Sequence, residues 1–459
     1  MKRRLPSATG GAAETPTLNV EVVGAGYVGL VTAACLAWLG HTVRCVDVNL
    51  ARITSLESGE VPFSEPGLAD LVRIGMEQRR LSFGTDVVDA ARAVDIVFVA
   101  VGTLDGTGRW TDEAVQGVIR SLLGGDSVPP LLVVRSTLRP GRMADLDSLV
   151  RASGRPTTLL IHPEFTKEGT AIADFLSPDR IVIGLPAGCP PDVVRPIRQL
   201  YARIDAPMVV VDHASAEMIK IASNAFLATK ITFANEIARF CRSVGADMAA
   251  VRRGIGLDRR IGPDFLRSGP GFGGSCLPSQ IDLLSAMSDE LGLDLELLPA
   301  VRRSNRSAAG RIATELLSGR PTPRRIGLLG LAFKAHTDDL RESPALRLID
   351  ALVEHGVEDI RAYDPVVRHL ASHPRVAVEA SAYAAADGAD TLVVATEWPE
   401  FRSLDWNRLA RLMTRREVFD TRGVVDLAAA MDAGFLVRSL ERAPHSGSPA
   451  RELVDRSVA

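Results

Sequence analysis

The feature that most constrains the fold is a strand, a glycine-rich turn and a helix that follow one another near the start of the chain. Leu18 to Val23 is an apolar run of strand type, Gly24-Ala25-Gly26-Tyr27-Val28-Gly29 follows it, and Leu30 to Leu39 has helical character. In such a turn the first glycine permits the tight bend, the second lets a pyrophosphate approach the backbone, and the third lets helix and strand pack closely. The helix N-terminus then offers N–H donors to the phosphates. The segment predicts a dinucleotide-binding α/β fold.

An acidic residue at the end of the next strand narrows the choice of dinucleotide. Predicted strand Thr42 to Val46 ends at Asp47, which lies 23 residues after Gly24. An acid in this place accepts hydrogen bonds from the adenosine ribose and disfavours a 2′-phosphate. We therefore predict that the cofactor is NAD rather than NADP.

Composition excludes several other classes of protein. With 459 residues, 46% hydrophobic residues and a net charge of −3, the chain has room for two or three domains and no basic excess for nucleic acid or anionic membrane. No apolar run is long enough to span a membrane, and residues 1–4 lack the apolar segment of a secretory signal. The five cysteines show neither metal-ligand nor disulfide spacing. We expect a cytoplasmic protein without a metal.

Strand and helix patterns alternate over two stretches of the chain, which predicts two Rossmann-like, doubly wound parallel-sheet α/β domains. A long helical segment between them is expected to form a dimer interface. The predicted strands are 18–23, 42–46, 95–101, 131–135, 158–161, 180–184 and 207–211, then 325–329, 359–363, 391–395 and 417–420. The predicted divisions are a disordered tail at 1–17, an NAD domain at 18–212, a helical domain at 213–320, a second α/β domain at 321–442 and a loose tail at 443–459.

A second glycine-rich run ends in a cysteine. From Gly269 to Cys276 the chain reads Gly-Pro-Gly-Phe-Gly-Gly-Ser-Cys, with four glycines within six residues. Such a loop can bring bare backbone and a thiol against a bound molecule. The alternative is a flexible turn beside a buried, inert cysteine.

Other polar residues have the spacing of a site. Lys220 and Asn224 lie four apart in a helical stretch, so they share one face and could hold one oxygen by charge and hydrogen bond, unless that face is merely solvated. With a dinucleotide and Cys276, they suggest oxidation of an alcohol, capture of the aldehyde as a thiohemiacetal, a second oxidation to a thioester and hydrolysis to a carboxylate. Positive side chains near glycine-rich backbone suit a diphosphate, and they include Arg260, Lys334 and Arg341.

The chain resembles the UDP-glucose/GDP-mannose 6-dehydrogenase family of nucleotide-sugar dehydrogenases over residues 18 to 440. The motifs that carry the resemblance are Gly24 to Leu30, Ser136-Thr137, Pro163-Glu164-Phe165, Pro178 to Gly184, Glu217 to Lys220 with Asn224, Arg260-Ile261-Gly262, Gly269 to Cys276, Leu331 to Lys334, Asp338 to Pro344, Tyr363-Asp364-Pro365 and Thr396-Glu397-Trp398.

The resemblance implies two NAD⁺-dependent oxidations of a sugar C6 alcohol to a uronate, with UDP-glucose favoured among the nucleotide sugars, and a homodimer formed through the central helix. It implies Cys276 as the nucleophile, Lys220 and Asn224 as the groups that hold the oxyanion and water, and Thr137 and Glu164 at the junction of cofactor and sugar. The implied cofactor-binding residues are Gly24, Gly26, Tyr27, Val28, Gly29, Asp47, Arg52, Gly102, Thr103, Ser136, Thr137, Glu168 and Arg341. The implied substrate-binding residues are Glu164, Phe165, Lys167, Glu168, Lys220, Asn224, Arg260, Phe265, Phe272, Gly273, Phe333, Lys334 and Arg422.

The chain departs from the family pattern near the predicted site. Family members usually have Lys-Asp at the third and fourth positions after the cysteine, where this chain has Ser279 and Gln280. Glutamine can bind water but cannot accept its proton. His162 replaces an asparagine and titrates near neutral pH, so it or Glu164 is a candidate base, although an isolated histidine is more often structural. The remaining departures are Leu104, Arg139, Thr166 and Lys167.

These departures leave three functional hypotheses. The chain catalyses the full four-electron oxidation, or it stops at the aldehyde or acts on an unusual sugar, or it binds NAD or nucleotide sugar without catalysis. Retention of Cys276 argues against the third, because a pure binder has no need of a thiol there. A two-electron dehydrogenase of the 6-phosphogluconate type is a more distant alternative, since it would need neither this cysteine nor the second α/β domain.

Overall fold

The structure is a computed structural model that describes residues 16–87, 94–318 and 322–441. These residues form two compact units, an N-terminal unit that ends at Asn224 and a C-terminal unit that begins at Ala225. Apart from residues 16 and 17, the tails predicted at 1–17 and 443–459 lie outside the described residues. The predicted division into three domains stays a prediction.

An eight-stranded sheet organises the N-terminal unit, in the order β3-β2-β1-β4-β5-β6-β7-β8. Neighbouring strands are parallel except β6 and β7, which meet in an antiparallel bridge between Ile161 and Gly184. The sequence analysis did not predict β3. The strands are β1 (Asn19–Val23), β2 (Thr42–Val46), β3 (Leu81–Gly84), β4 (Ile96–Val99), β5 (Leu131–Val134), β6 (Thr158–Ile161), β7 (Ile181–Leu185) and β8 (Met208–Asp212).

Helices cover this sheet, and the central strands are correspondingly apolar. Every residue of β4 and β5 is buried, as expected for a parallel sheet enclosed on both faces. The helices that lie wholly in the unit are α1 (Tyr27–Trp38), α2 (Leu50–Glu57), α3 (Leu68–Glu77), α4 (Glu113–Gly124), α5 (Arg142–Ala152), α6 (Ala171–Leu176) and α7 (Arg195–Leu200).

The central segment is helical, as predicted. Helix α8 (His213–Val244) has 32 residues and crosses the boundary between the two units. Four shorter helices follow it in the C-terminal unit, namely α9 (Met248–Gly256), α10 (Cys276–Leu291), α11 (Leu297–Arg306) and α12 (Ala308–Leu317).

A second sheet, of six parallel strands, organises the rest of the C-terminal unit in the order β11-β10-β9-β12-β13-β14. This order repeats that of the first six strands of the N-terminal sheet, so the prediction of two Rossmann-like sheets is confirmed. The strands are β9 (Arg325–Leu329), β10 (Asp359–Tyr363), β11 (Ala377–Val378), β12 (Thr391–Val394), β13 (Glu417–Asp420) and β14 (Leu436–Ser439). The accompanying helices are α13 (Pro344–Glu354), α14 (Ala382–Ala386), α15 (Trp406–Leu412) and α16 (Leu427–Asp432).

None of the helices within residues 16–87, 94–318 and 322–441 combines the length and apolar character needed to cross a lipid bilayer.

A buried acid lies in the middle of the first strand. Glu21 is fully enclosed, and neither of its carboxyl oxygens has a hydrogen-bond partner among the described residues. Its neighbour in the sheet register is Arg44 on β2. Burial raises the pKa of Glu21 from 4.5 to about 8, with the charge of Arg44 opposing that shift and the charge of Asp86 adding to it. The side chain is therefore protonated in the folded protein at neutral pH.

We predict that Glu21→Gln removes a pH dependence of stability. Between pH 4.5 and about 8 the folded state holds a proton on Glu21 that the unfolded state releases. The free energy of unfolding therefore falls as pH rises through this window, by up to about 1.4 kcal/mol per pH unit. Chemical unfolding of the two proteins at several pH values measures the difference. Glu57→Gln, at an exposed acid, is the control, and parallel curves for wild type and Glu21→Gln would contradict the prediction.

Candidate active site

The glycines of the first turn are required for different reasons. A Cβ atom at Gly24, which has φ +105°, would overlap the carbonyl oxygen of Ala100, and one at Gly29 would overlap the carbonyl oxygen of Gly24. These two glycines are required by the packing of the protein itself. A Cβ atom at Gly26 would meet no atom within 4 Å. The space beside Gly26 is therefore open, as a pyrophosphate at this helix N-terminus requires.

Asp47 connects this turn to the end of β2. Its Oδ2 accepts a hydrogen bond from the backbone N–H of Ala25 at 2.8 Å, and its Oδ1 accepts one from Asn49 at 2.9 Å. The guanidinium of Arg52 also contacts Oδ2 at 2.9 Å. The structure thus brings together the turn, the acid and the arginine that were predicted to bind NAD.

The next two strands end beside the same turn, because β4 follows β1 in the sheet and β5 follows β4. The hydroxyl of Ser136, just after β5, donates to the carbonyl oxygen of Val101 at 2.6 Å. Gly102, Thr103 and Thr137 belong to the same two loops. Strand order reverses between β1 and β4, and ligands of open α/β sheets bind at such a reversal. These residues fit an NAD molecule, which accepts hydride when bound.

A buried ion pair connects the loop after β6 to helix α8 in the N-terminal unit. Glu164 lies just after β6, and its Oε1 accepts a hydrogen bond from the Lys220 ammonium at 2.8 Å, with both side chains buried. Its Oε2 accepts from the backbone N–H and the hydroxyl of Thr166, each at 2.7 Å. Burial alone would raise the pKa of Glu164, but the charge of Lys220 and the hydrogen bonds from Lys220 and Thr166 hold it below its usual value.

Two residues with no predicted role position Lys220. Glu217, one turn earlier on α8, accepts hydrogen bonds from the backbone N–H groups of Gly141 and Met143 at the start of α5. Arg180 lies 3.8 Å from the centre of the Phe165 ring and donates to the Ser223 hydroxyl. Glu217 holds the first turn of α8 against the start of α5, and Arg180 connects the helix to Phe165, which follows Glu164. No local sequence signal indicates these contacts, since the partners lie 15 to 76 residues apart in the chain.

The structure does not support His162 as a general base. Its side chain is buried in the sheet core, with Nδ1 2.9 Å from the carbonyl oxygen of Val182 and Nε2 2.9 Å from the Tyr201 hydroxyl. Burial, assisted by the nearby charge of Arg135, lowers the pKa of His162 well below its usual value. The histidine is a neutral packing residue that satisfies two buried polar groups.

The neighbouring predicted residues have different surroundings. Phe165 lies 5.3 Å from the Lys220 ammonium, measured to its ring centre. Asn224 is buried one turn after Lys220. Lys167 instead forms an exposed ion pair with Asp174 at 3.2 Å, and the charge of Glu168 acts on Tyr27.

In the C-terminal unit, Cys276 is exposed at the first position of α10. The first turn of a helix has N–H groups without helical partners, and these favour a negative charge such as that of a thiolate. Three of the other cysteines, Cys35, Cys45 and Cys241, are buried. Burial raises the pKa of the Cys35 and Cys45 thiols, which makes them unreactive.

The glycines before Cys276 pack against protein atoms. A Cβ atom at Gly271 would overlap Oδ1 of Asn305, one at Gly273 would overlap the carbonyl oxygen of Glu342, and one at Gly274 would lie 3.0 Å from the Phe333 ring. Asn305 also accepts from the N–H of Phe272 and donates to its carbonyl oxygen, at 2.8 and 2.9 Å. The loop is therefore a fixed structure rather than a flexible turn.

The same loop meets two residues predicted to bind nucleotide sugar. Phe333 lies against Gly274, and Lys334 follows it. The guanidinium of Arg422 donates to the carbonyl oxygens of Ala395 and Phe333, and a Cβ atom at Gly269 would lie 3.2 Å from it. This cluster places two cations beside backbone that carries N–H donors, which suits a diphosphate.

Other predicted residues of this unit have different surroundings, although the Arg341 carbonyl oxygen accepts a hydrogen bond from the N–H of Gly274 at 3.0 Å. The Arg260 side chain is 89% exposed and pairs with Asp258, and the Arg341 guanidinium pairs with Asp339. Phe265 has a positive φ of 62°, a strained conformation for a side chain of its size. Gln280 is buried, and the Ser279 hydroxyl donates to the carbonyl oxygens of Ser275 and Cys276.

Together, the glycine turn with its acid, and a second parallel-sheet unit that presents an exposed thiol, define an NAD-dependent oxidoreductase. Comparisons with known proteins agree. The family model for the NAD binding domain of the UDP-glucose/GDP-mannose dehydrogenase family matches residues 18–217, the model for its central domain matches 214–307, and the model for its UDP binding domain matches 327–427. The chain belongs to the UDP-glucose/GDP-mannose dehydrogenase family.

Individual relatives match over nearly the whole chain. The UDP-glucose 6-dehydrogenase of Pseudomonas aeruginosa is 38% identical over 451 residues, which are 94% of this chain and 98% of that protein. A UDP-glucose dehydrogenase from the archaeon Pyrobaculum islandicum has a TM-score of 0.82 at 32% identity, covering 95% of this chain and all of that one. A UDP-D-ManNAc dehydrogenase from Pyrococcus horikoshii has a TM-score of 0.79 at 25% identity, covering 93% of this chain and 100% of that one.

We predict that Lys220→Met destabilises the protein by about 3–5 kcal/mol, because it leaves the ionised Glu164 buried without its cation. Urea unfolding at neutral pH measures the loss. Since the pKa of Glu164 is lowered in the folded protein, the contribution of the pair is complete at neutral pH and is lost as pH falls through that lowered value.

Lys167→Met is the matched control. This variant also removes a lysine ammonium, but from an exposed pair with Asp174, so the free energy of unfolding should fall by less than about 1 kcal/mol. Equal losses for the two variants would contradict the prediction.

Proposed function

We propose that this protein oxidises the C6 alcohol of a nucleotide hexose to the uronate with two molecules of NAD⁺, with UDP-glucose as the favoured substrate. The observation that carries the proposal is the exposed Cys276 thiol at the start of a helix, at the end of a loop that Asn305 and Phe333 hold rigid. Membership of the family and the curated relatives named UDP-glucose 6-dehydrogenase support the substrate. The predicted division into an NAD domain, a helical domain and a nucleotide-sugar domain is part of this proposal.

The proposed reaction consists of two oxidations, a covalent capture between them and a final hydrolysis. In the first, the alcohol carbon loses a hydride to NAD⁺ and its hydroxyl loses a proton. The Cys276 sulfur would then add to the aldehyde while its proton passes to the aldehyde oxygen, and the resulting thiohemiacetal would become a thioester by losing a second hydride, for which NAD⁺ is the acceptor, and its hydroxyl proton. Water hydrolyses the thioester to a carboxylate and restores the thiol. Covalent capture keeps the aldehyde in the site and divides a difficult oxidation into easier steps.

The buried side chains of the N-terminal unit have proposed roles in this scheme. The Lys220 ammonium stabilises negative oxygen at the reacting carbon, with Asn224 donating a hydrogen bond from the next turn. Glu164 holds the ammonium in a fixed orientation through their 2.8 Å contact. With its lowered pKa, Glu164 is a weak proton acceptor while this pair is intact.

A second candidate function follows from one observation, the replacement of the usual Lys-Asp by Ser279 and Gln280. A buried glutamine cannot remove a proton from the hydrolytic water. Loss of such a base typically slows a step by about 10²–10⁴-fold. This replacement supports the hypothesis that the chemistry of this protein differs from the full oxidation, so that it ends at the aldehyde or acts on another nucleotide sugar.

The stoichiometry of NADH decides between these functions. We predict that a limiting amount of UDP-glucose, tested in a panel of UDP- and GDP-sugars, yields about two NADH per sugar consumed. Absorbance gives the NADH and mass spectrometry gives the product. One NADH per sugar would identify the aldehyde as the product, and binding of sugar without NADH would identify a non-catalytic binder.

Cys276→Ser tests the covalent step in the same assay. Because serine cannot form the thioester, the variant should stall after a slow first oxidation, while Cys189→Ser should retain wild-type stoichiometry. Carboxylate formation by Cys276→Ser at the wild-type rate would refute the thioester mechanism.

We also propose that the protein is a homodimer through α8. Phe226, Phe233 and Phe240 follow one another at seven-residue spacing, which places them on one face of the helix. Their exposed fractions are 65%, 49% and 68%, an unusual apolar stripe for a surface helix. A second copy of the same helix is a partner that can cover three aromatic rings at once.

We predict that Phe233→Lys weakens this dimer by at least about thirtyfold, as expected for loss of a central aromatic contact. Light scattering coupled to size exclusion, over a dilution series, measures the mass. Met431→Lys changes an exposed apolar residue on α16 and should leave the dimer intact. A wild-type protein with the mass of one chain at all concentrations would exclude the proposal.

A further inference from the structure

Glu65 joins two segments that the sequence keeps far apart. It lies three residues before α3 and is buried, with an exposed fraction of 8%. Its Oε2 accepts hydrogen bonds from the Tyr27 hydroxyl and from the backbone N–H of Gly169, the latter at 2.5 Å. Its Oε1 accepts from the N–H of Ala171 at 2.9 Å. One carboxylate therefore binds donors whose residues are 38, 104 and 106 positions away from Glu65 in the sequence.

The first of these segments is the glycine turn of the dinucleotide site. Tyr27 is the first residue of α1 and directly follows Gly26. Its ring packs on Phe63, with 4.9 Å between ring centres. Burial and the hydrogen bond to Glu65 raise the pKa of Tyr27, so its hydroxyl remains a donor. A movement of this turn is therefore transmitted to the Glu65 carboxylate.

The second segment is the loop that carries Glu164. Its start is held by the contact between Glu164 and Lys220, and its end is held by Glu65 through Gly169 and Ala171, where α6 begins. Gly169 has a positive φ of 80°, which lets the backbone turn so that its N–H points at the carboxylate. Because hydrogen bonds to a carboxylate are among the strong ones in proteins, the loop end follows the position of Glu65.

We propose that Glu65 is a positioning residue that couples occupancy of the dinucleotide site to the placement of the loop from Glu164 to Gly169. A dinucleotide bound against the turn fixes Tyr27, Tyr27 fixes Glu65, and Glu65 fixes the loop end. The assignment of that loop to substrate rests on the proposed function. The coupling itself needs only the dinucleotide.

Hydrogen exchange with NADH as the probe tests the coupling without any sugar. NADH should slow exchange of a peptide that contains the Gly169 and Ala171 amides by about tenfold, since both donate to Glu65. In Tyr27→Phe, which removes only the hydroxyl, this slowing should disappear at NADH concentrations that saturate the variant, with saturation followed by fluorescence. Tyr383→Phe is the control, because it removes a hydroxyl of the C-terminal unit that accepts a hydrogen bond from the backbone N–H of Asp405.

Two results would overturn the proposal. One is equal NADH-dependent slowing in wild type and Tyr27→Phe, and the other is no slowing in wild type. Should Tyr27→Phe fail to bind NADH, the same measurement on Glu65→Gln decides. Glutamine has a single acceptor oxygen, so the loop amides should exchange faster and without response to NADH.

Kinetics connect the coupling to the proposed reaction. At saturating NAD⁺, Tyr27→Phe should lower kcat with UDP-glucose by about tenfold, because the loop is displaced. A purely structural role would lower the amount of folded enzyme and leave the kcat of the folded fraction unaltered. If the wild-type protein oxidises no nucleotide sugar, the proposed function is wrong. The hydrogen-exchange experiment still tests the coupling, because it uses NADH and no sugar.

Discussion

Buried carboxylates that accept hydrogen bonds from backbone N–H groups hold the loops at the carboxyl ends of both sheets. In the N-terminal unit Asp47 binds the glycine turn, and Glu217 binds the start of α5. In the C-terminal unit Asp420 accepts from four consecutive N–H groups, those of residues 422–425. Loops that must leave space for ligands cannot satisfy their donors with helix or strand bonds, and an unpaired buried N–H is costly. The carboxylates accept hydrogen bonds from these donors, so the loops are rigid while the space for a ligand stays open.

The two units use buried carboxylates for different purposes, although their strand orders agree. Asp47 closes β2 and retains a small exposed surface, so it can hold the turn and still meet a ribose. Asp364 follows β10 in the equivalent place, but it is fully buried and accepts from Leu331, Ala332 and the Trp398 indole among others. A carboxylate enclosed in this way has no surface for a ribose. The second sheet therefore repeats the architecture of the first without an accessible acid at this place, and the family model for the UDP binding domain matches this region.

Local patterns predicted the alternating elements, the first glycine turn and most strands, because these depend on neighbours within a few residues. The missed strands are short edge or near-edge strands: β3 contains Ser82, β14 contains Arg438, and β11 has two residues. The roles of Glu65 and Glu217 were not predictable, since their partners lie 38 to 106 residues away. His162 shows the opposite error: a histidine beside a predicted site suggested chemistry, while its position after an apolar strand placed it in the core.

The candidate bases of the sequence analysis each fail for a different physical reason, and this defines what the proposed chemistry can rely on. A base for a proton near neutral pH needs an accessible lone pair and a pKa close to that pH. His162 has neither, and Glu164 is held ionised with a lowered pKa by Lys220. Gln280, which replaces the usual aspartate, has no titratable group. The same contact that weakens Glu164 as a base keeps an ammonium fixed in a buried place, where its field is screened less than in water. If the protein is a four-electron dehydrogenase, it stabilises the developing oxyanion more than it assists proton removal, so hydrolysis of the thioester is the step in which its catalysis is weakest.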